Sequence, residues 1–453
     1  MPSNVKLSRW GAIKGASWTI VTYGAGQSVR LVSSIALTRL LAPEVFGIMT
    51  LLNSLRTGAD LFSDVGISQA LIQNAKAEDP DFYNTAWSLK VLRGFILFIV
   101  CALGAAFFAR VYESPIIGIL LPVIALSFIF DGLSSISLFL MQRRLKIAEI
   151  SLFAFAFEVI PGAALVTLAY FYRSIWSLVF GLLFASAVKM LVSHFLLNDV
   201  RVKFSISKNY MTQIMHFGKW MMLSSVIYFL SNYFDRLYLA KTIPLGLLGI
   251  YGIARSLSDM ILQLVGRLCG YIVFPYIAAS SAEPQQSVYR RLASPRLKLL
   301  LLAAAGLSTF AVVSDFPVKI IYDERYHAAG AMLPIMILGV WFSILCNINE
   351  SIMLGFGRPK YAAIGNATKL GWLFVGMPFG FALYGMFGII VVLAAGDALR
   401  YVPVYIGQKQ MRFSFGWQDL VATLLMFGLF ALFTYLRWFF GFGIPYNTII
   451  GNM

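Results

Sequence analysis

The chain has 453 residues, of which 59% are hydrophobic and 12% charged, with a mean hydropathy of +0.78. So much apolar surface excludes a water-soluble globular protein, and apolar runs of about 20 residues or more exclude the weak alternating pattern of a membrane β-barrel. A formal charge of +16 would suggest nucleic acid on a soluble chain. Here it fits the basic loops that orient membrane proteins, and no nucleic-acid partner is expected.

The first twenty residues are basic and then mildly apolar, without a cleavage site, and read as a cytoplasmic tail entering the first span. Apolar runs and breakers then predict thirteen helices: 15–40, 44–73, 83–110, 115–141, 147–171, 174–197, 217–241, 244–278, 296–321, 328–355, 360–383, 386–408 and 416–440. Tyr384-Gly385 divides the stretch 360–408. With the N-terminus inside, the inner segments collect Lys6, Arg9 and Lys14, then Lys76, then Arg143, Arg144 and Lys146. Arg201, Lys203 and Lys208 follow, then Arg290, Arg291, Arg296 and Lys298, then Arg358 and Lys360, then Lys409 and Arg412. The opposite ends carry mostly single basic residues, so the charge alternation supports the span count and the orientation.

The chain also repeats itself. Residues 41–55 align without gaps on 243–257, placing Gly47-Ile48 on Gly249-Ile250 and Ser54-Leu55 on Ser256-Leu257. Tyr23, Gln27 and Arg30 have the spacing of Tyr228, Asn232 and Asp235, and Arg56 and Asp60 that of Arg255 and Asp259, with a slip of about one helical turn. Copies separated by six spans share an orientation, so the repeat is parallel. The fold expected is all-α and polytopic, with about 12–13 transmembrane helices in two six-helix lobes, 1–205 and 206–412, and an additional helix and tail over 413–453.

Charges inside spans cost about 2.5–3.5 kcal/mol each on insertion scales and therefore face a cavity or a partner. Tyr23, Gln27, Arg30, Ser34 and Thr38 fall on one face of the first helix. Arg56 and Arg255 lie deep in the second and eighth, and Arg267 and Lys369 also stand within apolar runs. Arginine's planar fork suits phosphate. The bland alternative is that Arg56 neutralises Asp60, and Arg255 neutralises Asp259, each four residues on. Arg30 has no acid within a turn, so a substrate role is favoured. Arg30, Arg56, Arg255, Gln27, Tyr23, Asn232, Arg267 and Lys369 are the candidate substrate-binding residues. Lys189, near the inner end of its helix, reads as snorkelling to the interface.

The buried acids include Asp64, Asp131, Glu158, Asp235, Glu350 and Asp397. Asp235, which replaces Arg30 in the repeated spacing, is the leading candidate for binding a coupling proton or cation, with Asp60, Asp259, Glu350 and Asp397 beside it. Arg400, three residues beyond Asp397, suggests an internal pair. Glu158, before Pro161, reads as satisfying a kink. Cys101, Cys269 and Cys346 show no CxxC spacing and His194, His216 and His327 are scattered, so no metal site and no cofactor are expected beyond a possible proton or sodium gradient.

The run Arg39 to Gly47 (RLLAPEVFG), the run Leu61 to Ile67 (LFSDVGI) and the second-lobe segment Asp235 to Leu257 resemble the polysaccharide transporter family of the multidrug/oligosaccharidyl-lipid/polysaccharide exporter superfamily. The resemblance spans residues 9 to about 410. It implies a flippase of the bacterial inner membrane that moves undecaprenyl-diphosphate-linked oligosaccharide by alternating access, for exopolysaccharide, capsule or O-antigen. It also implies a diphosphate held by Arg30, Arg56 and Arg255, and pathway partners such as a polymerase and glycosyltransferases. The extra span 416–440 departs from a twelve-helix pattern. A drug or metabolite antiporter of the same superfamily is the first rival, disfavoured by the basic cluster. A membrane polysaccharide polymerase or ligase is the second. It is disfavoured because the segment 322–330, with His327, is short and holds no evident catalytic company, so no catalytic residue is expected.

Overall fold

Proline and glycine punctuate this chain where each helix begins and bends. The computed structural model describes residues 9–443 except 75, 145, 198, 274, 275, 278, 279, 281 and 282, with side chains left out at 9–20, 73, 147, 217, 220, 271 and 272. The tails expected before Arg9 and after Gly443 lie outside the described residues. Among the described residues fifteen α-helices have defined bounds: α1 Arg9–Leu40, α2 Pro43–Phe62, α3 Ile67–Gln73, α4 Pro80–Val111, α5 Pro115–Leu133, α6 Ser137–Arg143, α7 Ile147–Tyr172 and α8 Ile175–Ser193. After these come α9 Lys208–Thr242, α10 Leu245–Leu268, α11 Gln285–Val313, α12 Asp315–Ile321, α13 Ala328–Gly355, α14 Lys360–Gln410 and α15 Gly416–Phe439. The chain is all-α, with no strand among the described residues.

Pro43, Pro80 and Pro115 each occupy the first turn of their helix, where a missing N–H costs nothing. Asp79 adds an N-cap, its side chain accepting from the Asp81 amide at 3.0 Å. The bend expected at Tyr384-Gly385 is present: Gly385 takes φ 54° and ψ −136°, a conformation open to glycine alone, inside the 51-residue α14.

Four expected spans are interrupted, the one over 296–321 only at Ser314, between α11 and α12. The helix expected over 44–73 stops at Phe62, because Asp64 Oδ1 captures the Gly66 amide at 2.9 Å and Gly66 turns left-handed at φ 65°. The helix expected over 115–141 breaks after Leu133. There the serine-rich run 134–137 offers its own hydrogen bonds: Ser193 Oγ accepts from the Ser135 amide at 2.8 Å, and Lys90 Nζ donates to the Ser134 carbonyl at 2.8 Å. The helix expected over 244–278 passes into a π-helical turn at Cys269–Val273. Several starts are also earlier than expected, with α1 opening at Arg9, α9 at Lys208 and α11 at Gln285, so Arg296 is a buried helical residue and not part of a basic loop.

Nine helices among the described residues are long and apolar enough to cross a membrane. Helices α1, α2 and α9 are not in that set. They carry the Tyr23/Gln27/Arg30, Arg56/Asp60 and Asn232/Asp235 stripes, whose polar residues lower their hydropathy.

The chain separates into two units, residues 1–229 with 236–249, and residues 230–235 with 250–453. In the first, α1 packs on α7, α4 on α5, and α5 and α7 on α8, with α2 against α5. In the second, α13 packs on α14 and α11 on α15.

The connector between α8 and α9 is laid along α4 in the first unit. Asn84 Oδ1 accepts from the Lys203 amide at 2.8 Å and Thr85 Oγ1 from the Ser207 amide at 3.0 Å. Ser88 Oγ accepts from the Ser205 amide at 2.9 Å and donates to its carbonyl at 3.0 Å. Nearby, the Arg144 hydrogen bond at 2.7 Å holds the exposed Asp199 carboxyl below the usual carboxylate range.

Candidate functional site

The ionic groups of the first unit line up on α1, α2, α4, α5, α7 and α8. On α1, Tyr23 and Gln27 are buried, and Gln27 Oε1 has no hydrogen-bond partner among the described residues. Two turns of α1 bring Arg30 against α7, where Glu158 takes its guanidinium in a fork: Nη2 to Oε1 at 2.7 Å and Nε to Oε2 at 3.3 Å. The Arg30 side chain nevertheless stays 41% exposed. Glu158 is thus the partner of an arginine 128 residues away and not the filler of a proline kink.

Arg56 reaches across to α5. Its Nη2 donates to Asp131 Oδ2 at 2.8 Å and its Nε to Ser127 Oγ at 2.8 Å, with the guanidinium 5.5 Å from the Phe128 ring centre. It does not neutralise Asp60. That carboxylate is taken by Arg93 of α4, Nη2 to Oδ1 at 2.7 Å, while Arg93 Nε holds Ser63 Oγ at 3.0 Å. Side chains four apart on one helix meet only weakly, and each found a fork on a neighbouring helix instead. These groups are a quarter to a half exposed inside a helical, apolar unit, which is where an anion could reach them.

The second unit differs in character. Arg255 does keep its own-helix partner, Nε to Asp259 Oδ1 at 3.2 Å, and Asp235 Oδ2 stands 4.0 Å away. Tyr251 donates its hydroxyl to Asp235, which is 2% exposed. Lys369 and Asp397 close a 2.7 Å pair across the bend of α14, at 3% and 7% exposure. Arg400 leaves Asp397 for Glu350 of α13, with contacts at 2.7, 2.9 and 3.1 Å. The internal Asp397–Arg400 pair expected from sequence is therefore absent, since α13 offers both Glu350 oxygens to the fork. Asn232 is half-buried on α9, Tyr228 is exposed, and Arg267 is exposed in the last turn of α10.

Two further buried pairs escaped sequence reasoning. Arg296 meets Asp419 at 2.5 Å, a carboxylate also held by Asn349 at 2.9 Å and Tyr401 at 2.7 Å. Arg437 grips Asp315 at 2.5 and 2.7 Å. Arg296 read as part of a basic inner segment, and Arg437 stands near the end of the span expected over 416–440. Among the described residues no group of three His, Cys, Asp or Glu side chains is placed to hold a metal.

A long all-α chain whose apolar helices carry half-exposed ionic forks in one unit and dry ion pairs in the other is a multi-pass membrane protein. It belongs to the polysaccharide biosynthesis protein family, whose sequence profile matches residues 36–331. Among relatives it is 22% identical over 356 residues to the lipopolysaccharide biosynthesis protein WzxC of Escherichia coli (strain K12), covering 75% of this chain and 69% of that one. It is 22% identical over 435 residues to the teichuronic acid biosynthesis protein TuaB of Bacillus subtilis (strain 168), covering 96% of this chain and 86% of that one. Its fold is shared with the lipid II flippase MurJ in an inward closed conformation, at a TM-score of 0.74 and 13% identity, covering 94% of this chain and 93% of that one.

Proposed function

We propose that this protein is a flippase that carries undecaprenyl-diphosphate-linked oligosaccharide across the bacterial inner membrane by alternating access, for exopolysaccharide, capsule or O-antigen synthesis, with no catalytic chemistry of its own. The observation that carries the reading is the Arg30–Glu158 fork. An arginine in the middle of a span keeps a 41% exposed side chain and a bidentate carboxylate partner, the geometry a phosphate would adopt on the same fork. Family membership and the MurJ-like fold support it. In this reading Arg30 and Arg56 engage the diphosphate, with Tyr23 and Gln27 beside them. Arg255, held by Asp259 and close to Asp235, orders the second unit. Coupling to a proton or sodium gradient falls to the acids of the second unit, with Asp235 foremost because it is enclosed and takes the place of Arg30 in the repeat.

The cation surplus of the first unit disfavours a carrier of cationic drugs. The test is polymer export in cells lacking the native gene. Arg30→Ala should abolish export while the protein remains in the membrane at normal abundance. Export at the wild-type level would remove the phosphate role.

A further inference from the structure

Two cations of the first unit share one carboxylate, and a third lies one turn away. Asp131 of α5 receives Arg56 of α2 on Oδ2 at 2.8 Å, and Lys189 of α8 stands 3.8 Å from Oδ1. Lys90 of α4 lies one turn further along α5. Its Nζ donates to the Ser134 carbonyl at 2.8 Å and to Ser134 Oγ at 2.5 Å, and that hydroxyl in turn donates to the Asp131 carbonyl at 2.7 Å. Arg93, also on α4, is already neutralised by Asp60. Arg56 and Lys189 therefore hold one positive charge more than Asp131 can cancel, with the Lys90 amine beside them.

Snorkelling accounts for one of them at most. Lys189 stands four residues before the end of α8, within reach of the interface. Lys90 is turned inward onto backbone of α5 and Arg56 onto Ser127 and Asp131. A positive surplus among apolar helices is costly unless an anion visits, and a diphosphate brings negative charge to meet it. Lys189, 44% exposed, and Asp131, 33% exposed, leave the cluster open to it. At its edge Ser127 Oγ accepts from Arg56 and Ser134 Oγ from Lys90.

We propose that Arg56, Lys90 and Lys189 form the site at which the diphosphate of the lipid-linked substrate enters the first unit, with Asp131 holding the cations in place until the phosphates displace it. This rests on the flippase reading. It adds Lys90 and Lys189 as ligands and makes Asp131 a competitor of the substrate.

The test uses the full-length protein in lipid nanodiscs, with pyrophosphate and a polyprenyl diphosphate as probes. Asp131→Asn should tighten pyrophosphate binding about tenfold, or 1.4 kcal/mol, because the competing charge is gone. Lys189→Ala should weaken it by a similar factor, and Lys189→Arg should restore it. Pyrophosphate should compete with the polyprenyl diphosphate. If pyrophosphate binds alone, without competition, the site serves free phosphate and the entry role falls. Binding indifferent to both Asp131→Asn and Lys189→Ala overturns the inference outright, even when Arg30→Ala abolishes export and the flippase reading stands. Conversely, Lys189-dependent binding with normal export by Arg30→Ala would leave this site intact and overturn the Arg30 role.

Discussion

Gly47 and Gly249 hold the same place in the two copies of the repeat, and each lies against the first turn of the other's helix. A Cβ on Gly47 would sit 1.9 Å from the Leu245 carbonyl oxygen, and a Cβ on Gly249 would sit 2.0 Å from that of Pro43. Pro43 and Leu245 are themselves equivalent in the ungapped alignment, so the close approach is reciprocal. Backbone faces backbone here, and no flexible side chain can move aside.

Gly47→Ala and Gly249→Ala should each destabilise the protein by about 1–3 kcal/mol, the usual range for forcing a methyl into a filled contact. The double variant should lose less than the sum, because separating the two helix starts once relieves both clashes. Thermal unfolding of the detergent-purified protein would measure this. Unchanged midpoints in both single variants would mean that α2 and α10 have room to spare.

The exposed fork of Arg30 leads to a different expectation. A pair this open contributes about 1 kcal/mol or less to stability. Arg30→Ala and Glu158→Gln should therefore unfold close to the wild-type temperature while differing in transport. Arg30→Ala should lose export, whereas Glu158→Gln should retain it, since the arginine survives. A large fall in stability for either variant would make the pair a structural bolt.

The connector from α8 to α9 should be resistant to protease because of α4. Ser88 is fully buried and makes two of its bonds. Ser88→Ala removes the hydroxyl without adding bulk and leaves the Ser205 amide and carbonyl unmatched. Loss of this reciprocal pair, about 1 kcal/mol or more, should raise the opened fraction of the connector roughly tenfold. Trypsin cleavage at Arg201 or Lys203, timed on the intact membrane protein, reads that fraction. Equal cleavage rates would mean that Asn84 and Thr85 hold the connector without Ser88.

Helix existence was legible in this sequence because span length and apolar runs follow from the bilayer alone, and the Tyr384-Gly385 bend followed from glycine chemistry. The stripe on α1 was legible from its spacing, and the repeat brought Arg56 and Asp235 to notice. The partners were not. Sequence offers only neighbours on the same helix, so Asp60 looked like the mate of Arg56 and Arg400 that of Asp397. Packing supplied Asp131, Arg93, Lys369 and Glu350 from other segments, at separations of 28 to 75 residues. The breaks after Phe62 and Leu133 were missed for a related reason: apolar periodicity continues across them, and single hydrogen bonds from Asp64, Ser193 and Lys90 decide that the helix stops.

Lys369 and Asp397 set the sharpest contrast with the first unit. Both are almost wholly enclosed, and removing one partner would strand the other charge without water. Lys369→Met should therefore cost about 3–5 kcal/mol, the range for breaking a buried pair from one side. Asp397→Asn alone should cost less, because an amide can still accept from the ammonium, though the lysine charge remains uncancelled. The double variant Lys369→Met with Asp397→Leu should recover most of the loss, since two apolar groups need no partner. Transport separates the remaining roles. If the recovered double variant exports polymer normally, the pair serves only to join the two halves of α14. If it is as stable as wild type but silent in export, the charges themselves are needed, and Asp397 stands with Asp235 among the groups that answer the driving ion.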